Sequence, residues 1–201
     1  IMKKLKFLKL TIIIATFALL LTACTNSSNQ PIEPETNDQV NESVEGLTVE
    51  ITDVHGTVTV PVNPKNVVAL DNRTFETLED WGIELAAVPK AVMPADSVYV
   101  ADESIQDIGN HGEPNLEIIA AVDPELVIVG QRFARFYEDI KALVPNAVVI
   151  DLNFDVSEEA DSPGENLVNG LKNSTIALGK IIDKNQEAEQ LVADFDYAIE
   201  K

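Results

Sequence analysis

The sequence has a single cysteine, Cys24, and only two histidines, His55 and His111, in 201 residues. One thiol excludes an internal disulfide, and neither histidine has a partner at the spacing that a zinc or manganese centre requires. Basic residues are scarce: 14 Lys and Arg stand against 34 Asp and Glu, a formal charge of −20. That balance disfavours nucleic acid and anionic lipid as partners. No nucleophile elbow, phosphate loop or Cys/His pair is present, and the many carboxylates lack a spacing that singles out an acid/base couple, so nothing argues for an enzyme. No internal repeat is visible. The longest apolar run, Leu10 to Leu21, is too short to span a bilayer.

That run has a different meaning. Lys3, Lys4, Lys6 and Lys9 precede it and Leu21-Thr22-Ala23-Cys24 follows it, the order of an export signal ending in a lipidation box. Residues 1–23 are therefore expected to be a lipoprotein signal peptide, with Cys24 the lipidated first residue of the mature chain. This places the protein at the cell membrane, lipid-anchored on the extracytoplasmic face. Residues 24–45 are rich in Ser, Asn, Pro and acids, with too little apolar surface to fold, and are expected to form a disordered tether. Loss of the signal removes four cations and no acids, leaving the remainder still more acidic.

From Gly46 the composition is that of a packed domain, large enough for one sizeable core. Leu47 to Val62 alternates apolar and polar residues about His55-Gly56, which predicts a β-hairpin with His55 as a turn residue. Four apolar runs then follow, Val67–Leu70, Leu85–Val88, Leu126–Val129 and Ala147–Ile150, as suits strands buried on both faces. Helical segments separate them. One is capped by Asn72 or Thr74 and stopped by Gly82; one is capped by Asn115 and ended by Asp123-Pro124; one runs from Arg132 to Leu143 before Pro145. Strands alternating with helices give an α/β fold, a mostly parallel Rossmann-like sheet with right-handed crossovers. Beyond an acidic loop ending near Gly164, helical periodicity runs for nearly forty residues and is still running at Lys201, while residue 1 is Ile. The expectation is a fragment.

Ligands of open parallel sheets bind outside the carboxyl ends of the strands. The residues just after the apolar runs include Arg73, Lys90, Arg132 and Arg135, an unusual gathering of cations for so acidic a chain. Arg132, just beyond Gly130 and at the expected start of a helix, is the leading candidate for an anion contact. Its guanidinium and the helix N-terminus could face one ligand, and arginine binds carboxylate or catecholate oxygens in a bidentate manner.

Several segments resemble, in order and spacing, the iron-siderophore substrate-binding lipoproteins of ABC importers, the class III or FecB-like binding proteins. They are Gly56–Pro61 followed by Asn63–Val68, Asp107-Ile108-Gly109 with Glu113–Glu117, Asp123–Ile128, and Gly130–Tyr137. The resemblance covers residues 46–201. It implies a bilobal protein that takes up a ferric siderophore in a shallow cleft and docks on an ABC permease with its ATPase, without chemistry and without a cofactor. In the last segment several members place a siderophore-contacting arginine, which corresponds to Arg132. Arg73, Lys90, Arg135 and Tyr137 complete the candidate ligand contacts. Residues 46–184 would be the N-terminal ligand-binding lobe and 185–201 the start of the inter-lobe helix, the second lobe being absent. Gly112 stands where some petrobactin-type members carry a lysine, so petrobactin in particular is not indicated. Two other outcomes are a binding protein for haem, with Met93 as axial ligand, or for another metal chelate such as cobalamin, and a nonfunctional truncated product. The plainer role for Met93 is packing.

Overall fold

The computed structural model describes residues 46–201. The expected signal peptide, the tether and Cys24 lie outside the described residues. Among the described residues no helix is long and apolar enough to cross a membrane.

Strands β1 (Thr48–Asp53) and β2 (Gly56–Pro61) form the expected antiparallel hairpin, with Asp53 opposite Gly56 and Val54-His55 as the turn. Gly56 has φ +128°, a backbone angle that favours glycine. The alternation resolves as predicted, with Ile51 and Val60 buried and their neighbours turned outward.

A five-stranded parallel sheet follows, built from β3 (Val68–Ala69), β4 (Ala87–Val88), β5 (Gln106–Asp107), β6 (Leu126–Val129) and β7 (Val148–Asp151) in the order β5-β4-β3-β6-β7. The chain steps outward from β3 to β4 and β5. It then returns to pair β6 with the free side of β3, so strand order reverses between β3 and β6. Successive side chains of β6 enter opposite faces. Leu126 and Ile128 join a core shared with the hairpin, helix α1 (Phe75–Asp80) and helix α5 (Pro163–Ile181); Val127 and Val129 join one shared with α3 (Leu116–Ala121) and α4 (Tyr137–Leu143). Helices therefore cover both faces, which is why the strands read as unbroken apolar runs.

The helix punctuation works as expected in α3, where Asn115 Oδ1 accepts the Glu117 amide at 3.2 Å. Thr74 is the N-cap residue of α1, but its hydroxyl donates back to the Asp71 carbonyl at 2.8 Å rather than accepting from the helix. The structure departs from the sequence reading in four places. Strand β5 is polar and exposed at the sheet edge, so it has no apolar signature. The short helix α2 (Val98–Ala101), capped by Ser97, carries no periodicity of its own. The segment expected to be one helix from Arg132 is a turn, then a 3-10 turn (Ala134–Phe136), then α4. The long helical tract is two helices, α5 and α6 (Asn185–Ile199), broken where Asp183 takes φ +54°. The two pack closely: a Cβ on Gly179 would lie 2.4 Å from that of Ala188.

Candidate functional site

The reversal between β3 and β6 opens the crevice in which doubly wound sheets hold ligands. Its two walls are the segments leaving those strands, Asp71–Thr74 on one side and Gly130–Phe133 on the other. The second wall is a turn closed by the Phe133 amide donating to the Gly130 carbonyl at 2.9 Å. Phe133 is wholly buried in the core that includes Val129 and Ile140, which anchors the turn from below and leaves Gln131 and Arg132 on its outer side, both exposed. Among the described residues Arg132 has no hydrogen-bond or ion-pair partner. Its guanidinium is a free bidentate donor. The α-helix expected to begin here begins five residues later, at Tyr137, after the 3-10 turn, so no α-helix N-terminus lies beside Arg132.

Arg73 differs. Its Nε and Nη2 both lie 3.0 Å from the Asp71 carboxylate, Nη2 also donates to the Leu152 carbonyl at 3.3 Å, and the guanidinium stacks 4.1 Å from the Phe154 ring centroid. The Asp71 side chain is fully buried and that of Arg73 is 15% exposed. This is a neutralised internal pair, in place of either a free anion contact or a solvated helix charge. Sequence reasoning missed Asp71. Its signal was an acid directly after an apolar run, two residues before an arginine.

Lys90 sits after β4 with its ammonium 2.6 Å from the Asp102 carbonyl, while its amide donates to Asp107 Oδ1 at 3.0 Å. Arg135 donates to the carbonyls of His111 and Gly112, the latter at 3.0 Å, and lies over the Phe136 ring, joining the loops after β5 and β6. Tyr137 is buried, 3% exposed, with its hydroxyl toward the Val149 carbonyl at 3.5 Å. One face of its ring is covered by His55, stacked at 3.8 Å and 14°. A ligand does not reach that ring face in this arrangement. The hairpin turn residue thus does more than turn: His55 Nε2 also lies 3.5 Å from Asp151 Oδ2, and Asp53 accepts the Asp151 amide at 2.8 Å. Burial pushes the Asp151 carboxyl above its usual range, opposed by the Asn153 amide and by His55. Burial likewise raises the Tyr137 phenol, with Lys141 opposing. Met93 packs against the hydrophobic core, the plainer of its two expected roles.

Among the described residues the edge therefore offers one unpaired arginine at a topological switch point, beside loops in which Arg73, Lys90 and Arg135 are hydrogen-bonded within the protein. A family model described as periplasmic binding protein matches residues 67–201. The chain belongs to the periplasmic binding protein family. It is 30% identical over 197 residues to the petrobactin-binding protein YclQ of Bacillus subtilis, covering 96% of this chain and 56% of that protein. It is 29% identical over 147 residues to the ferric-anguibactin-binding protein FatB of Vibrio anguillarum, covering 73% and 44%. Among solved structures, that of YclQ superposes with TM-score 0.65 at 26% identity, over 76% of this chain and 51% of that one. The siderophore binding protein BauB, bound to acinetobactin and ferric iron, gives TM-score 0.65 at 23% identity over 77% and 52%, a likeness of fold. The chain spans about half the length of the relatives it matches.

Proposed function

We propose that this chain is the N-terminal lobe of a solute-binding lipoprotein that captures a ferric siderophore outside the membrane and delivers it to an ABC permease and its ATPase. The observation that carries the reading is Arg132, exposed and unpartnered among the described residues at the β3/β6 crevice of a chain whose family is one of binding proteins. A ferric complex with anionic oxygen ligands suits a guanidinium, which pairs with two oxygens at once and remains charged at all physiological pH. Binding without reaction needs nothing more from the protein than such donors on a fixed scaffold. Names of relatives span petrobactin, anguibactin and Fe(3+)-citrate, so the proposal is a ferric siderophore as a class rather than petrobactin in particular.

Anchoring is proposed through lipid on Cys24. Two B. subtilis relatives, YhfQ and YfiY, are named as lipoproteins, in keeping with the sequence of the export signal. Helix α6 is proposed to lead toward a second lobe, in keeping with the greater length of the relatives.

The test is calorimetric titration of the whole gene product with ferric siderophores of catecholate and carboxylate type, with iron-free siderophore and haem as controls. Saturable binding of at least one anionic ferric complex, with one-to-one stoichiometry, is expected. Haem binding with a Soret shift, and no heat with any ferric siderophore, would replace this reading with the haem one.

A further inference from the structure

The buried Asp71 carboxylate lies against the backbone of the turn that carries Arg132. A Cβ placed on Gly130 would fall 2.2 Å from Asp71 Cγ and 2.3 Å from Oδ2, so glycine is required here by the carboxylate and not by its own backbone angle. Arg73 holds that carboxylate from the other side, through three contacts of 3.0 to 3.3 Å from Nε and Nη2, and its own amide donates to Oδ1 at 3.1 Å. The same guanidinium reaches the Leu152 carbonyl and stacks on Phe154. Phe154 in turn fills the notch at Gly170 of α5, where a Cβ would fall 2.2 Å from its ring. One ion pair thus ties together the segments leaving β3, β6 and β7 and the helix behind them.

We propose that the Asp71–Arg73 pair is a positioning device for the ligand-contacting turn: it fixes the course of Gly130–Phe133, and through it the direction of Arg132, without itself touching the siderophore. A buried charge pair fits this role better than an apolar one, because its geometry is directional and Arg73 offers several donors in one plane. Lysine in place of Arg73 keeps the charge and loses the fork. The inference rests on the siderophore reading for its effect on binding, and stands apart from it for its effect on the turn.

The experiment uses the whole gene product and two variants, R73K and G130A, each alone and combined with R132A. The binding probe is whichever ferric siderophore the unmodified protein takes up, ferric petrobactin being tried first. Each single variant is expected to weaken binding about tenfold, and neither to weaken it further once Arg132 is Ala. In ligand-free protein, amide hydrogen exchange at Gln131–Phe136 is expected to rise about tenfold in both variants, with β6 still protected. Losses that add to that of R132A, or unchanged exchange in the turn, would overturn the proposal. Should R73K not fold, D71N takes its place, since Asn keeps the shape of the acid and removes its charge. If the unmodified protein binds no ferric siderophore, the function proposed above fails, and the exchange measurement alone still decides whether the pair holds the turn.

Discussion

Arg132→Ala and Arg73→Ala are expected to fail in opposite ways, and the contrast follows from their surroundings. Arg132 is exposed and, among the described residues, touches no acid and no carbonyl. Removing it leaves nothing buried without a partner, so the denaturant midpoint should stay within about 0.5 kcal/mol of the unmodified protein. Its loss should appear in binding instead. A hydrogen bond to a charged partner is worth about 1.5–3 kcal/mol, which is roughly a 10- to 150-fold rise in Kd for an anionic ferric siderophore. Arg73 is the reverse case: without it the Asp71 carboxylate, fully buried, has no countercharge. Breaking such a pair from one side costs about 3–5 kcal/mol, so R73A should unfold at markedly lower denaturant. The assay pairs chemical denaturation with calorimetric titration. Calorimetry is preferable to tryptophan quenching, because Trp81 lies at the far end of α1, in a cleft shared with Gln190 and Leu191 of α6 and away from the carboxyl edge. An R132A protein with unchanged Kd, or one that loses stability while R73A does not, would refute the division of roles.

Three further outcomes follow from the packing. Burial holds Asp151 above the usual carboxylate range, so its contribution to stability is complete below about 3.9 and is lost as pH rises through its raised folded-state value. D151N, uncharged throughout, should therefore be at least as stable as the unmodified protein near neutral pH, with the two thermal melts converging toward about pH 4; a D151N protein that melts lower at neutral pH would mean that the 3.5 Å approach of His55 outweighs burial. Gly179→Ala would press a methyl group to 2.4 Å from the Ala188 Cβ and 3.0 Å from the Lys184 carbonyl, and the forced separation of α5 and α6 should cost about 1–3 kcal/mol in a denaturant melt. Tyr137→Phe should leave siderophore affinity unchanged in titration, because the phenol is buried and the ring is covered by His55.

The fold was legible wherever one physical signal dominated. The runs Leu126–Val129 and Ala147–Ile150 read as strands because both of their faces are buried, and Asn115 marked a helix start because its side chain makes the capping bond it was expected to make. Strand β5 escaped because only the backbone of Gln106 and Asp107 takes part in the sheet, while both side chains are exposed. Periodicity alone ran through the break between α5 and α6, because Asp183, rather than glycine, takes the left-handed angle and its neighbours keep helical spacing on both sides; the helix start expected at residue 185 from the family resemblance is where α6 begins. Arg132 was misplaced onto a helix for a related reason. The apolar residues Phe133, Tyr137 and Ile140 keep helical spacing although the first of them sits in a turn.

The candidate site was legible as a neighbourhood and not as a set of contacts, and the difference has a physical cause. Counting cations after the strands found Arg73, Lys90, Arg132 and Arg135, but loops at the carboxyl edge of a parallel sheet present carbonyls and carboxylates that need donors of their own. Arg73 serves Asp71 and the Leu152 carbonyl, Lys90 the Asp102 carbonyl, and Arg135 the carbonyls of His111 and Gly112. The Arg73–Leu152 bond and the two bonds of Arg135 join segments that leave different strands, whereas the Arg73–Asp71 pair lies within the segment leaving β3 and the Lys90 bond closes the connection between β4 and β5. In a chain with more than twice as many acids as bases, partners within the protein take up these three cations. Arg132 escapes that fate because Phe133 beside it is drawn into the core and turns it outward. Under the function proposed above, affinity for an anionic ligand is therefore expected to depend less on how many cations stand at the edge than on the course of the turn that carries Arg132, against which Asp71 is packed.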